Sequence, residues 1–293
     1  MHATLSDRAV LAIRGADAVT FLSGLVTADV SGLADGVSSH AGLLTPQGKV
    51  LFEFIVQRNG EALLIDVAEA QAASLAKRLG FYKLRAAVEI EHLADRAVVA
   101  EWGEGVGNGP RDPRLDALGI RRIVAAGGLD AEPSALRAYH AHRIAHAVPE
   151  GGADYAFGDT FPHDACFDLL GGVSFSKGCY VGQEVVSRMR HRGTARRRVL
   201  GLLAQNDALP DPGTEIIAAE RPVAMLGSSV DGRGIAIARI DRVRDALADG
   251  VPMTCNGEQI RFEVPAWADY LLDGDGDGDG DGDGDGDGQS ACS

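Results

Sequence analysis

The sequence predicts an α+β fold: two mixed units, each with antiparallel strands and helices, followed by an all-β module. Three observations predict it. Upstream of residue 198, apolar and polar residues alternate in short runs that are separated by helix-like stretches. Downstream, short apolar runs recur between turn residues. The chain has 293 residues, 45% hydrophobic and 24% charged, which is globular composition and more chain than one ordinary core holds.

The elements follow in order. Val10 to Ile13 reads as a strand, and the next segment as a helix that places Ala18, Phe21, Leu22 and Leu25 on one face. "LLTPQGKVLFEFIVQRNGEALLIDV" reads as a β-meander with turns at Thr45-Pro46-Gln47-Gly48 and Asn59-Gly60. "AEAQAASLAKRLG" is an alanine-rich helix expected to stop at Gly80. "AAVEIEHL" and "RAVVAEW" are two further strands, and "GEGVGNGPRDPR" is a glycine-rich crossing. Ser134 to His146 is helical, with Leu136, Tyr139 and Ile144 as its buried stripe. Beyond Arg198, "VLGLLA", "TEIIAA", "RPVAMLG", "GIAIARI" and "QIRFEV" are strands of a small antiparallel barrel or sandwich.

The formal net charge of −14 is uneven, because eight of the negative charges lie in the Asp-Gly repeat of residues 273 to 288. That repeat can bury no apolar surface and is expected to stay solvated without fixed structure. It opens like an EF-hand loop, but the twelfth position is Gly284, where calcium needs a bidentate glutamate. Neither a signal-peptide pattern nor an apolar run of membrane-spanning length, about 18 residues, is present. Cys166, Cys179, Cys255 and Cys292 form no C-x-x-C pair, so a reducing, cytoplasmic setting is expected, with no membrane partner.

The chemistry concentrates in "VSFSKGCYVGQEVVSRMRHRG". An apolar run passes through Gly178 into a helix starting near Gly182, with Gln183 and Glu184 in its first turn. Cys179 stands before that helix, two residues from Lys177, and both features favour a thiolate that attacks or ligates. The alternative is a small buried residue, the usual fate of a free cysteine. Arg188, Arg190, Arg192, Arg196, Arg197 and Arg198 follow, a basic stretch suited to a polyanion or simply to solvent. No aromatic residue falls among them, which argues against direct nucleic-acid binding. His142 and His146 lack the glutamate of a zincin motif, since Arg143 follows His142, so no metal site is assigned.

The octapeptide K-G-C-Y-V-G-Q-E resembles the signature of the YgfZ family, folate-binding relatives of the glycine-cleavage T protein, an aminomethyltransferase. "GADAVTFLSGLVTADV", "LLTPQGKVLFEF", "DPRLDALGIR" and "HRIAHAVPEGGADY" are similar to the same family in the same order. The resemblance implies a three-domain ring or cloverleaf with two mixed antiparallel-sheet domains and a C-terminal β-barrel. Residues 1–45 with 105–198 would form a discontinuous folate-binding-like domain, 46–104 an inserted α+β domain and 199–270 the barrel, leaving 271–293 as an acidic tail. It implies a monomeric accessory factor for assembly or repair of iron–sulfur clusters in 4Fe–4S enzymes, working with assembly proteins or client enzymes. Cys179 would be the functional thiol, able to share a transient iron–sulfur cluster with a partner. Tetrahydrofolate or a derivative would meet Lys177, Gly178, Tyr180, Gly182, Gln183, Glu184 and Arg143, and Arg188, Arg190 and Arg192 would offer an anion site. Where aminomethyltransferases place an aspartate at the folate's reactive nitrogen, only Glu53 is acidic here. Glu53 is therefore the catalytic candidate of the alternative function, tetrahydrofolate-dependent one-carbon transfer.

Overall fold

The computed structural model describes residues 1–191, 195–206, 208–270 and 272. The N-terminal part runs β1 (His2–Thr4), β2 (Arg8–Arg14), α1 (Ala18–Ser23), β3 (Ser38–Leu44), β4 (Val50–Asn59), β5 (Ala62–Ala68) and α2 (Glu69–Lys83). It continues with β6 (Glu89–His92), β7 (Arg96–Glu101), β8 (Ile120–Ala125), α3 (Pro133–Ala145) and α4 (Gln183–His191). The C-terminal part is β9 (Arg197–Ala204), β10 (Glu215–Ala218), β11 (Arg221–Val230), β12 (Arg233–Arg239), α5 (Ile240–Ala248), β13 (Met253–Cys255) and β14 (Glu258–Glu263).

Strand periodicity explains how the first two sheets share a core. Successive strand residues face opposite sides. In β2, Leu11 and Ile13 face α1 and α2 together with Leu22, Phe54, Ile65 and Leu75. Val10 and Ala12 face the other way, onto Val98, Ala100, Trp102 and Tyr139. The five-stranded antiparallel sheet, ordered β3-β4-β5-β2-β6, is therefore covered on one side by helices and on the other by the three-stranded sheet β1-β7-β8 with α3. The expected border between residues 45 and 46 falls in the turn joining β3 to β4, so this sheet takes strands from both sides of it.

The third unit is a closed antiparallel barrel ordered β10-β11-β12-β9-β14-β13, so the barrel-or-sandwich choice falls to the barrel. The Asp231-Gly232 and Asn256-Gly257 pairs make two of its tight turns, all four residues taking positive φ. The sequence reading missed β13 and α5. The former is only three residues long, and the latter's buried Ile240, Val243 and Ala246 follow directly on the strand pattern of β12.

The helix expected to end at Gly80 does not: α2 continues through it to Lys83 and ends at Leu84, whose φ is 42°. Tyr82, packed against the main core, supplies the tertiary reason for the extra turn. The expected behaviour of residues 273–293 lies outside the described residues. Among those residues, no helix is long and apolar enough to cross a membrane.

Candidate functional site

Ser174, Lys177, Tyr180, Gly182 and Gln183 anchor the loop around Cys179, each for its own reason. Ser174 starts the loop, its N–H donating to the Thr27 carbonyl at 2.9 Å, and its Oγ accepts from the Lys177 amide at 3.3 Å. The Lys177 ammonium turns inward and donates to the carbonyls of Ser23 (2.6 Å), Val26 (2.7 Å) and Ala28 (2.8 Å). These carbonyls lie at and just beyond the C-terminus of α1, where helical partners run out. Burial pushes the Lys177 ammonium down to about 8, opposed by the Asp29 carboxylate. All three of its N–H donors are thus engaged within the chain, and the ammonium expected to activate Cys179 works as a strut.

Tyr180 is 7% exposed and packs with Leu44, Val50, Tyr155, Phe167 and Val186. Gly182 has a φ of 82°, and a Cβ there would stand 2.6 Å from the Thr45 carbonyl oxygen. Gly48 faces it from the β3–β4 turn with a φ of 76°, and its own Cβ would lie 2.8 Å from Cβ of Val185. Both positions need glycine for conformation and for closeness. Gln183 closes the turn ahead of α4, its Oε1 accepting from the Tyr180 amide at 3.2 Å.

Within this clamp Cys179 is exposed, whereas Cys166 and Cys255, the other cysteines among the described residues, are buried. The packing alternative for Cys179 therefore fails. A Cβ added at Gly178 would meet nothing within 4 Å, so the surface beside the thiol is open.

The basic stretch is divided among several tasks. Arg188 pairs with Glu184 one turn earlier at 2.5 Å, both exposed. Arg190 lies 3.9 Å over the Phe175 ring, and Arg198 pairs with Asp168 at 2.9 Å. Arg196 and Arg197 are exposed. Arg192, the third expected anion ligand, lies outside the described residues.

Glu53 and Arg143 sit elsewhere, inside the protein. One oxygen of Glu53 meets His40 Nε2 at 2.9 Å; the other accepts from the Gly151 amide (2.6 Å) and the Tyr155 hydroxyl (2.8 Å). Burial opposes its charge, but the hydrogen bond and charge of His40, with Arg114 nearby, hold it below the usual carboxylate range. Arg143 is 1% exposed. It donates to Asp154 at 2.6 Å, to the Val148 carbonyl at 2.7 Å and to Ser228 of β11 at 2.9 Å, so it ties α3 to the barrel.

Arg143 also belongs to a buried ionic network that sequence reasoning missed. Arg8 bridges Asp66 (2.6 Å) and Glu150 (2.9 Å); Asp66 also holds Arg121 (2.6 Å), and Arg114 holds Asp112 (2.8 Å). The Tyr139 hydroxyl accepts from both Arg114 and Arg121. Four arginines therefore face the four carboxylates of Asp66, Asp112, Glu150 and Asp154, a neutral set in a setting where an unpaired charge would be costly.

The network borders a cavity of about 940 Å³ between β2, α3, the 150–157 segment and β11, with Arg8, Leu136, His140, Arg143, Phe157 and Val230 on its walls. Of its lining residues, Asp7 Oδ1 is buried with no hydrogen-bond partner, and Arg143 Nε has only the Glu150 carboxylate, 3.5 Å away. A cavity of this size, mainly apolar with a few polar groups, has the make-up of a small-molecule site. No residue from 177 to 184 lines it, and Glu53 lies behind Gly151. The structure thus separates thiol from cavity. The link between them is the Tyr155–Tyr180 cluster, against which the cavity-wall residue Phe157 packs.

Known proteins are similar to this chain in sequence and in fold. Residues 196–270 match the family described as the CAF17 C-terminal beta-barrel domain. The chain is 31% identical to the mitochondrial iron-sulfur cluster assembly factor IBA57 homolog of Coccidioides immitis, over 86% of this chain and 72% of that protein. With the mitochondrial iron-sulfur cluster assembly factor IBA57 of Homo sapiens it shares 29% identity, covering 83% of this chain and 78% of the relative. The crystal structure of the glycine cleavage system aminomethyltransferase T from Bartonella henselae superimposes with a TM-score of 0.71 over 91% of this chain and 86% of that one, at 17% identity, so the fold is aminomethyltransferase-like. By these similarities the chain belongs to the IBA57 family of iron–sulfur cluster assembly factors, in the superfamily that the K-G-C-Y-V-G-Q-E octapeptide indicated.

Proposed function

We propose that this chain is a folate-linked accessory factor for assembly or repair of iron–sulfur clusters in 4Fe–4S enzymes, and that Cys179 is its functional thiol. The observation that carries this reading is the exposed thiol on a clamped loop, with open surface beside it at Gly178. Clusters are usually held by four thiolates, so one cysteine can hold a cluster or iron only when a partner supplies the remaining ligands. An exposed, rigidly presented thiol supports such sharing. We place the work in a reducing compartment, with cytoplasm as the expectation from this sequence, although the relatives above carry mitochondrial names. We take the acting species to be a monomer, and the partners to be assembly proteins or client enzymes.

A reduced folate is the ligand we assign to the cavity. Asp7, His140 and Arg143 would meet its polar edge and Leu136 and Phe157 its ring, and when bound it would supply one-carbon chemistry. Aminomethyl transfer by the chain itself ranks second. Glu53 would have to be the charge beside the reactive nitrogen, but its oxygens are already taken by His40, Gly151 and Tyr155.

The test is complementation of a strain lacking its own relative of this chain, reading the activity of a 4Fe–4S enzyme. Wild type is expected to restore it and Cys179→Ala to fail at equal abundance. Equal rescue by both would remove the thiol from the function.

A further inference from the structure

The end of α2 is built against its own stability. The Ala86 amide donates to the Lys83 carbonyl at 2.7 Å, which closes a tight turn with Leu84 and Arg85 at its centre. Leu84 takes a φ of 42° and a ψ of −103°, the first central position of a type II′ turn, where glycine sits without strain and leucine does not. The strain brings no burial: Leu84 is 90% exposed, and Phe81, three residues earlier, is 66% exposed. The turn is nevertheless held firmly. Tyr82 and Ala86 pack against the main core, and the Ala87 amide donates to the Asp17 carboxylate at 2.7 Å. Two apolar tips therefore stand out from a fixed backbone, and folding alone gives no reason for them.

Cations surround these tips. Between Gln71 and Val88 the chain carries Lys77, Arg78, Lys83 and Arg85 and no carboxylate. All four are exposed, and their side chains make no hydrogen bond or ion pair among the described residues. Lys77 and Arg78 precede Phe81 by one helical turn, while Lys83 and Arg85 flank Leu84. The neighbouring helix α1 has no charged residue, and Asp17 ahead of it already accepts from Ala87. Glu69 and Glu89 lie outside the stretch on either side.

We propose that the C-terminal end of α2, from Lys77 to Arg85, is a docking surface for an anionic lipid bilayer, with Phe81 and Leu84 entering the headgroup boundary and the four cations meeting the headgroups. Shape and charge select this partner. The tips are convex, so a folded protein would need a pocket for each of them and a carboxylate for each cation. A bilayer surface yields to both tips and carries negative charge throughout. Long lysine and arginine stems let apolar neighbours sink while the charges stay at headgroup level. The chain's net negative charge restricts contact to this patch, since fields between exposed charges fade within about 10 Å at 0.1 M salt. The expectation of no membrane partner rests on the lack of a spanning run, and a chain that rests against a bilayer needs none. The proposal stands apart from the iron–sulfur reading, because its test involves neither Cys179 nor the cavity.

The test is flotation of the full chain with vesicles of phosphatidylcholine containing about 30% phosphatidylserine, against vesicles of phosphatidylcholine alone. At about 0.02 M salt the chain is expected to partition onto the anionic vesicles about 100-fold better than onto the neutral ones, and to lose that advantage at about 0.5 M. Each cation near such a surface contributes about fivefold, so Lys77→Gln with Arg78→Gln should weaken partition about 25-fold. Phe81→Ser with Leu84→Gly should weaken it about tenfold or more while melting no lower than the wild type, because glycine relieves the turn. Failure to float with the anionic vesicles would overturn the proposal, as would flotation of both variants like the wild type. Failure with vesicles combined with retention on immobilised polyglutamate, lost in the Lys77→Gln, Arg78→Gln variant, would overturn it in favour of an acidic protein partner.

Discussion

Charge is used in opposite ways in two regions of this molecule. In the network of Arg8, Arg114, Arg121 and Arg143 with Asp66, Asp112, Glu150 and Asp154, arginines and carboxylates are buried, matched in number and joined across the chain. Around Cys179, one lysine is spent inward on three carbonyls, while the thiol and most neighbouring arginines face solvent. The first arrangement holds the units together around the cavity. The second fixes the backbone of a loop and leaves its reactive atom free. Substitutions in the network should therefore cost stability, and substitutions at the loop's tip should cost function.

The largest effect is expected in the network. Arg143→Ala removes the partner of Asp154 and Glu150 and strands their charges, so unfolding in denaturant should show a loss of about 3–5 kcal/mol. The joint change Arg143→Met with Glu150→Leu should cost less than the sum of the two singles, because the Arg143–Glu150 attraction is then lost once rather than twice, while Asp154 loses its partner in both. A loss below about 1 kcal/mol for Arg143→Ala would mean that the network does not bind the units together.

Acid should attack the same region. Glu53, Asp66, Asp112 and Glu150 are buried, which alone would raise their pKa values, yet neighbouring His40 and arginines hold all four below the usual range. A depressed folded-state pKa adds stability that is present above the unfolded value and lost as pH falls through the folded one. Stability should hold from neutral pH to about 5 and then fall below about 4, by up to about 1.4 kcal/mol per pH unit for each proton taken up. Thermal melts across that range would measure it. A curve unchanged down to pH 3 would sink the account.

How much of this was legible in the sequence follows from how local each cause is. The hairpin turns at Asn59-Gly60, Asp231-Gly232 and Asn256-Gly257 were readable because two adjacent residues carry the signal. The clamped loop was readable as a motif, but not the exposure of its thiol. That exposure depends on Lys177 reaching carbonyls about 150 residues earlier. The network was invisible: Arg8 meets Asp66 at a separation of 58 residues and Glu150 at 142, and nothing local marks a buried arginine. Arg143 was singled out as a ligand contact, and its burial against Asp154 and Ser228 was not foreseen. The stop expected at Gly80 failed because packing of Tyr82 overrides a single helix-breaking residue.

Intermediate effects are expected where the loop is anchored. Lys177→Met leaves three carbonyls at the end of α1 without their donor, a loss of about 1–3 kcal/mol. Amide exchange over residues 175–182 should quicken while exchange in the barrel strands stays unchanged. The two glycines that flank the thiol sharpen the contrast. Gly182→Ala, at a φ of 82° and against the Thr45 carbonyl, should cost about 1–2 kcal/mol. Gly178→Ala, in open space, should stay within about 0.5 kcal/mol. Equal costs at both positions would show that the loop is not held by its contact with the β3–β4 turn.

The smallest change in stability should come from the residue that matters most for the proposed function. Cys179→Ser replaces an exposed thiol by a hydroxyl of similar size and touches none of the anchors, so it should shift stability by no more than about 0.5 kcal/mol. Serine keeps the shape but lacks a thiolate near neutral pH, so it cannot ligate iron or form a mixed disulfide. If Cys179→Ser melts like the wild type yet fails to restore 4Fe–4S enzyme activity, stability and function are carried by separate residues, as the comparison requires. If it restores activity in full, the loop is built to present its backbone, and the open surface at Gly178 becomes the place to look.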